Sequence, residues 1–319
     1  MTALAGRRVT GDFFVCDFDG PRPKHDIASL EHPIFSLATR PDRRILSYVH
    51  NDVEVTVTPS VKGRATIFDA DILIYCISQL MAALNAGRAT SRTLTLVAHD
   101  LMLATGRETS GDAYRRLRDA FERLAGTRIT TNIVTGEREV TTGFGLIEGW
   151  EIVRRTRKGR MVSVRVTLSD WLYEAVLARS VLTLSRDYFG LRRPLERRIY
   201  ALCRKHCGRQ SHWQVSVATL AKKSGSSSPL RVFRAMLREI AAAQSLPDYH
   251  LEELRGDLFR VTRRPATGTG QGGFALQTLE AARALAPGAD VYALEAEWRA
   301  TGRVGDDAAF LAWVRTRLR

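Results

Sequence analysis

The stretch from Asp100 to Leu124, DLMLATGRETSGDAYRRLRDAFERL, admits few local structures. Residues 98–105 are predicted as a short helix. Gly106 to Gly111 then gathers glycine, threonine and serine, the residues that end and restart helices. A second helix is predicted from Asp112, because Ala113, Leu117, Ala120, Phe121 and Leu124 recur at the helical period. Arg115, Arg118, Asp119 and Glu122 fall on its opposite side. A packed first helix followed by a second with an exposed polar face is the layout of a helix-turn-helix. Taken alone, the stretch reads equally well as an ordinary surface helix with solvated charge.

The neighbouring elements narrow the choice. Phe68 to Asn85 has helix length, with Leu73, Ile77, Leu80 and Leu84 as one buried stripe and Asp69 and Asp71 at the favourable N-terminal end. Thr93 to Leu96 reads as a short strand. After the helix-turn-helix, Arg128 to Val134 and Arg138 to Thr142 form one predicted hairpin. Trp150 to Arg155 and Met161 to Leu168 form another, with the basic tip RRTRKGR, and a short helix starts at Ser169 and Asp170. Helix, strand, helix, turn, helix, hairpin is the order of a winged helix-turn-helix. A basic wing tip suits phosphate contact, although hairpin tips are also charged simply because they are exposed.

The pattern then recurs. Arg192 to Cys207 is predicted helical, with Leu195, Ile199, Leu202, Cys203 and His206 inward and Arg197, Arg198, Arg204 and Lys205 outward. A strand at Trp213 to Val215 and a short helix from Val217, started by Ser216, follow. Gly225 to Pro229 is the turn, with Pro229 suited to the first helical position. The next helix, to Ala243, buries Val232, Phe233, Met236, Leu237 and Ile240 and turns Arg231, Arg234 and Arg238 outward. A hairpin at Arg255 to Asp257 completes the second set. The expected class is therefore α+β: two tandem winged helix-turn-helix domains with a small helical C-terminal segment.

Boundaries follow from the punctuation. Residues 1–42 form a basic arm carrying Pro21, Pro23, Pro33 and Pro41, with Ile34, Phe35 and Leu37 able to anchor it. Arg44 to Val57 is a hairpin that opens the first winged domain, 43–180. The second winged domain is 181–264, and 265–319 is a flexible linker plus a helical tail. Leu276, Leu279, Trp298, Phe310 and Trp313 give that tail a small core or a docking face.

Charge points to the partner. The formal net charge is +14, and residues 274–319 contribute nothing to it, with 6 basic and 6 acidic residues. A basic body suits a polyanion, usually nucleic acid. No apolar run approaches the ~18 residues of a membrane span, and the first residues lack the apolar core of a secretory signal. Four cysteines are too few for a disulfide scaffold and suit a reducing cytoplasm.

Several longer blocks then resemble one family. EHPIFSL (31–37), DADILIYCISQL (69–80), RETSGDAYRRL (107–117), LSDWL (168–172) and RPLERRIYALCRKHCG (193–208) stand in one order. With them the chain resembles, over about Asp12 to Thr262, the plasmid replication initiator protein A family. The resemblance implies tandem winged helices, binding of repeated double-stranded origin DNA, and recruitment of host initiator, helicase or loader proteins. It assigns no base contacts, and a homodimer stays open.

The residues themselves nominate the contacts. Arg115, Arg118, Arg231, Arg234 and Arg238 are candidates for guanine or phosphate. Ser110, Ser227 and Ser228 sit at the two helix starts, where hydroxyls and backbone N–H groups hold phosphate. Arg155, Arg157, Lys158 and Arg160 are the wing candidates. A transcriptional regulator would use the same parts. No cofactor, metal or catalytic function is expected. Gly268, Gly270 and Gly273 spell GxGxxG, but Arg263 to Thr267 intervene after the strand and no βαβ unit follows. No Gly-Lys pair exists for a P-loop. Cys203, His206, Cys207 and His212 have ligand chemistry but read more simply as core positions. The seven histidines include no His-apolar-His pair for a nicking enzyme.

Overall fold

The computed structural model describes residues 14–16, 21–50, 53–135, 138–154, 161–208, 210–264, 276–286, 294–295, 297–298 and 307–317. The chain divides into two units: Met1–Met81 with Ala89–Arg263, and Ala82–Arg88 with Arg264–Arg319.

In the larger unit, β1 (Phe14–Val15) and β2 (Lys24–Asp26) precede α1 (Ile27–Glu31), which Asp26 caps by accepting from the Ser29 N–H. The hairpin β3 (Leu46–His50) and β4 (Val53–Thr58) leads to α2 (Ala70–Asn85) and β5 (Thr93–Val97). The helix-turn-helix is α3 (Ala98–Ala104) and α4 (Gly111–Gly126). Two hairpins follow, β6 (Arg128–Thr135) with β7 (Arg138–Gly145), and β8 (Ile147–Arg154) with β9 (Met161–Leu168). Pairing separates their roles. The second hairpin is the wing, because β5 pairs with β9 in a sheet of order β1-β5-β9-β8. The first joins β3 and β4 in a separate sheet of order β3-β4-β6-β7.

The second half repeats the plan. After α5 (Asp170–Leu177), β10 (Val181–Thr183) and a 3-10 turn at Arg186–Gly190 come α6 (Pro194–Cys207), β11 (His212–Ser216), α7 (Val217–Ser224) and α8 (Leu230–Ala243). The wing is β12 (Tyr249–Leu254) and β13 (Leu258–Arg263), with sheet order β11-β13-β12. Again the strand before the helix-turn-helix pairs with the last strand of the wing. The fold is α+β, with two tandem winged helix-turn-helix units. Phe233, Leu237 and Ile240 of α8 pack into a core with Ile199, Leu202 and Phe259, each worth ~1.5–3 kcal/mol when buried. Gly225 ends α7 at φ +65°, and a Cβ there would come within 2.7 Å of the Pro33 Cβ, so both backbone and space require glycine.

The smaller unit holds α9 (Leu276–Leu285) and α10 (Asp307–Arg317). Leu279, Ala282, Trp298, Phe310 and Trp313 form its core. The glycine-rich linker lies outside the described residues.

Where the two winged units meet, the structure corrects the sequence reading. Arg197 and Arg198 were expected to face outward, yet they are 2% and 4% exposed. Arg198 hydrogen-bonds the carbonyls of Ser29, Leu30 and Glu31, at the end of α1, and of Lys223, near the end of α7. These are the carbonyls that helix ends leave without donors, and the planar guanidinium serves both ends at once. Burial pulls the Arg198 pKa down to about 10. Helix α2 also exceeds its expected single stripe, since every residue from Asp71 to Met81 is buried. Residues 24–36, assigned to the arm from the sequence, are built into the joint. There β2 pairs with β10, and the Lys24 N–H donates to Ser78 Oγ of α2 at 2.7 Å.

A polar cluster closes this joint. Glu31 meets Lys205 at 3.1 Å, Lys223 at 3.3 Å and His206 at 3.9 Å. Burial opposes its ionisation, but the Lys205 hydrogen bond and the neighbouring charges hold the carboxyl down to about 2. His206 stacks on Trp213 at 4.8 Å. Burial, with Lys223 and Lys205, pushes its pKa down to about 4 in spite of Glu31. An imidazole kept neutral in the fold but ordinary when unfolded stabilises fully above about pH 6.5. Its contribution is lost as pH falls toward 4. Urea titrations of His206→Gln should therefore show a flatter decline of stability between about pH 6.5 and 4 than the parent, while Glu31 acts at lower pH.

Candidate nucleic-acid interface

Each second helix of the two helix-turn-helix units buries one stripe and exposes the other. In α4, Ala113, Leu117, Ala120, Phe121 and Leu124 are buried, and Phe121 stacks on Trp150 of the wing strand β8 at 5.8 Å. The opposite face carries Arg115, Arg116 and Arg118, all exposed. Arg116 was not singled out from the sequence, although its position beside Arg115 was visible there. Ser110 is the N-cap: its Oγ accepts from the Ala113 N–H at 3.3 Å. The hydroxyl thus serves the helix first, and the adjoining first-turn N–H groups lie at the surface.

These arginines are not idle. Arg115 and Arg116 both bond Asp112, Arg116 also reaches Glu108 at 3.0 Å, and Arg118 meets Glu122 at 3.3 Å. Exposed pairs of this kind contribute ~0–1 kcal/mol. They hold the guanidiniums in place and yield easily to a phosphate or a guanine edge.

In α8 the same design uses the wing. Arg238 forms two hydrogen bonds of 2.8 Å with Glu253 of β12, which hold that carboxyl below its usual range. Arg234 reaches Asp257, in the turn between β12 and β13, at 2.5 Å. Arg231, in the first turn of α8, is exposed and forms no ion pair among the described residues. Ser227 is exposed, whereas Ser228 donates its N–H to Ser226 Oγ at 3.3 Å. Both precede the helix, which begins at Leu230 with Pro229 in the capping position rather than the first helical one. Arg155, Arg157, Lys158 and Arg160 lie outside the described residues.

Among the described residues, the other groups with ligand chemistry are already engaged in the fold. Cys203 and Cys207 are buried in the core of the second winged unit. Among the described residues no three His, Cys, Asp or Glu side chains are grouped as a metal ion requires. Asp69 and Asp71 are each engaged by arginine, at 2.7 Å by Arg123 and at 2.5 Å by Arg197.

The replication initiator protein A family model matches residues 24–251, from β2 into β12 of the second wing. The chain belongs to the replication initiator protein A family. A candidate replication protein of Wigglesworthia glossinidia brevipalpis is 37% identical over 246 residues, spanning 76% of this chain and 89% of that one. Among solved structures, a selenomethionine derivative of domains 2 and 3 of RctB superposes with a TM-score of 0.56 at 14% identity, covering 75% of this chain and 97% of that one. A second structure of RctB domains 2–3 gives 0.50 at 14% identity, over 75% and 96%. At that identity the likeness is one of fold. The matched family segment stops before α9, so the helical tail lies outside it.

Proposed function

We propose that this initiator binds repeated double-stranded sites at a plasmid origin through α4 and α8 and recruits host replication proteins there. The observation that carries the proposal is the family segment itself, which runs from the first winged unit into the second wing and contains both arginine-bearing second helices. In this reading Arg115, Arg118, Arg231, Arg234 and Arg238 meet base edges or phosphates. Ser110, Ser227 and Ser228 lie near phosphates at the helix starts, and the tip of the first wing adds Arg155, Arg157, Lys158 and Arg160. The protein acts in the cytoplasm without catalysis or a cofactor of its own, so energy for strand opening comes from a recruited partner. No described helix is long and apolar enough to cross a membrane. The helical tail is the segment assigned to partner docking or self-association.

The test is titration of the protein with a duplex carrying the direct repeats that flank its gene, across a series of salt concentrations. Each neutralised phosphate releases counterions, so ~6–10 contacts give a log–log slope of about −5 to −9. A nearly flat plot, or equal affinity for a scrambled repeat, sinks the reading.

A further inference from the structure

A groove beside the first helix-turn-helix is lined by two arginines that form no ion pair among the described residues. It has a volume of about 670 Å³ and is lined by the α3–α4 turn on one side and by Arg192 and Arg197, at the start of α6, on the other. Its walls thus come from both winged units. The acids along it are already engaged. Asp69 is held by Arg123 through bonds of 2.7 and 2.8 Å, Asp71 by Arg197, and Glu108 by Arg116. Asp119 stands 3.9 Å from Lys62. Arg40 and Arg192 remain: both line the groove, both are exposed, and neither forms an ion pair among the described residues.

Two uncompensated guanidiniums in a concave, otherwise neutralised surface focus positive potential there. Their planar donor forks fit phosphate oxygens, and the exposed rim lets a long polymer pass through. We propose that this groove seats the sugar–phosphate backbone of the duplex where it passes from the first winged unit to the second, with Arg40 and Arg192 as the phosphate contacts. The assignment rests on the origin-binding reading above and extends it from the exposed helix faces to a groove that α4 shares with the start of α6. Because backbone contacts position a protein without reading sequence, their loss weakens all duplexes alike.

The experiment compares the parent chain with Arg40→Gln, Arg192→Gln and the double variant. The probe is a mixed-sequence duplex of about 30 bp, longer than the two helical turns that adjacent major grooves occupy. Both side chains are exposed, so thermal unfolding should be unchanged and differences report binding. Each single variant should lose about 0.9 from the log–log salt slope, and the double variant about 1.8. A double variant with the parental slope overturns the proposal. So does a groove that binds ATP in the parent and not in the double variant while the duplex slope is kept, because the groove then serves a small phosphate ligand. If the parent chain itself shows no salt-dependent duplex binding, the failure belongs to the origin-binding reading and not to the groove alone.

Discussion

Asp71→Ala should destabilise the initiator by about 3–5 kcal/mol, the range seen when one member of a buried ion pair is removed. Asp71 is 2% exposed and lies 2.5 Å from the Arg197 guanidinium. The same carboxylate draws in Arg107 of the helix-turn-helix turn at 3.9 Å. Burial pushes its pKa above the usual carboxylate value, against the pull of Arg197 and Arg107. The pair as a whole therefore adds little net stability, because desolvation offsets most of the attraction. The loss in Asp71→Ala arises from leaving the buried Arg197 without its carboxylate, although the carbonyls of Leu191 and Phe189 and the rings of Phe68 and Tyr188 stay beside it. Replacing both members by apolar residues, as in Asp71→Leu with Arg197→Met, should then recover much of the loss. Urea unfolding of the two singles and the double completes the cycle. A single variant within about 1 kcal/mol of the parent, or a double variant as unstable as the sum of the singles, shows that the joint does not depend on this pair.

Local elements were legible because their signals are local. The α4 stripe follows from five apolar residues at the helical period, and its arginine face follows by exclusion. The wings followed from alternation and turn residues. Hairpin β6–β7 was equally visible, but its partner was not: joining β3 and β4 is a long-range pairing that periodicity does not encode. The largest miss was at α6. Its pattern ERRIY places two arginines where an amphipathic reading puts solvent. They are buried because α1 and the start of α2 arrive from the N-terminal region with carbonyls and a carboxylate. A composition-based reading of an arm cannot foresee that such a segment supplies the acceptors for a buried cation. The same arrangement links site and fold, since Arg107 of the turn before α4 and Arg197 of α6 converge on one carboxylate.

That shared anchor gives the most demanding expectation for DNA. Inserting 5 bp between the two sub-sites of an origin repeat should reduce affinity to the non-specific level, a loss of ~10³–10⁷ for an ordinary site-specific protein. Two helices entering successive major grooves on one face stand about one turn apart, ~10–10.5 bp, and half a turn moves one groove to the far side of the duplex. A protein with a loose linker would follow the rotation. This one should not, because several independent contacts hold its winged units. Arg197 bonds Asp71, Arg198 ties α1 and α7 to α6, and β10 pairs with β2. Rotating one unit would break buried hydrogen bonds to charged groups, each worth about 1.5–3 kcal/mol. The substitutions should divide along the same line. Loss of Arg115 and Arg118 should weaken one sub-site, and loss of Arg231, Arg234 and Arg238 the other. A base-reading arginine costs ~1–3 kcal/mol and relaxes specificity at its own position, whereas a phosphate contact weakens all sequences alike. Quantitative footprinting on the parental and the extended repeat reads both effects. If the extended repeat is bound as tightly as the parental one, or one winged unit alone binds as tightly as the pair, the two-groove model fails. The second unit is then a dimerisation or partner-docking domain whose arginines stay paired with Asp257 and Glu253.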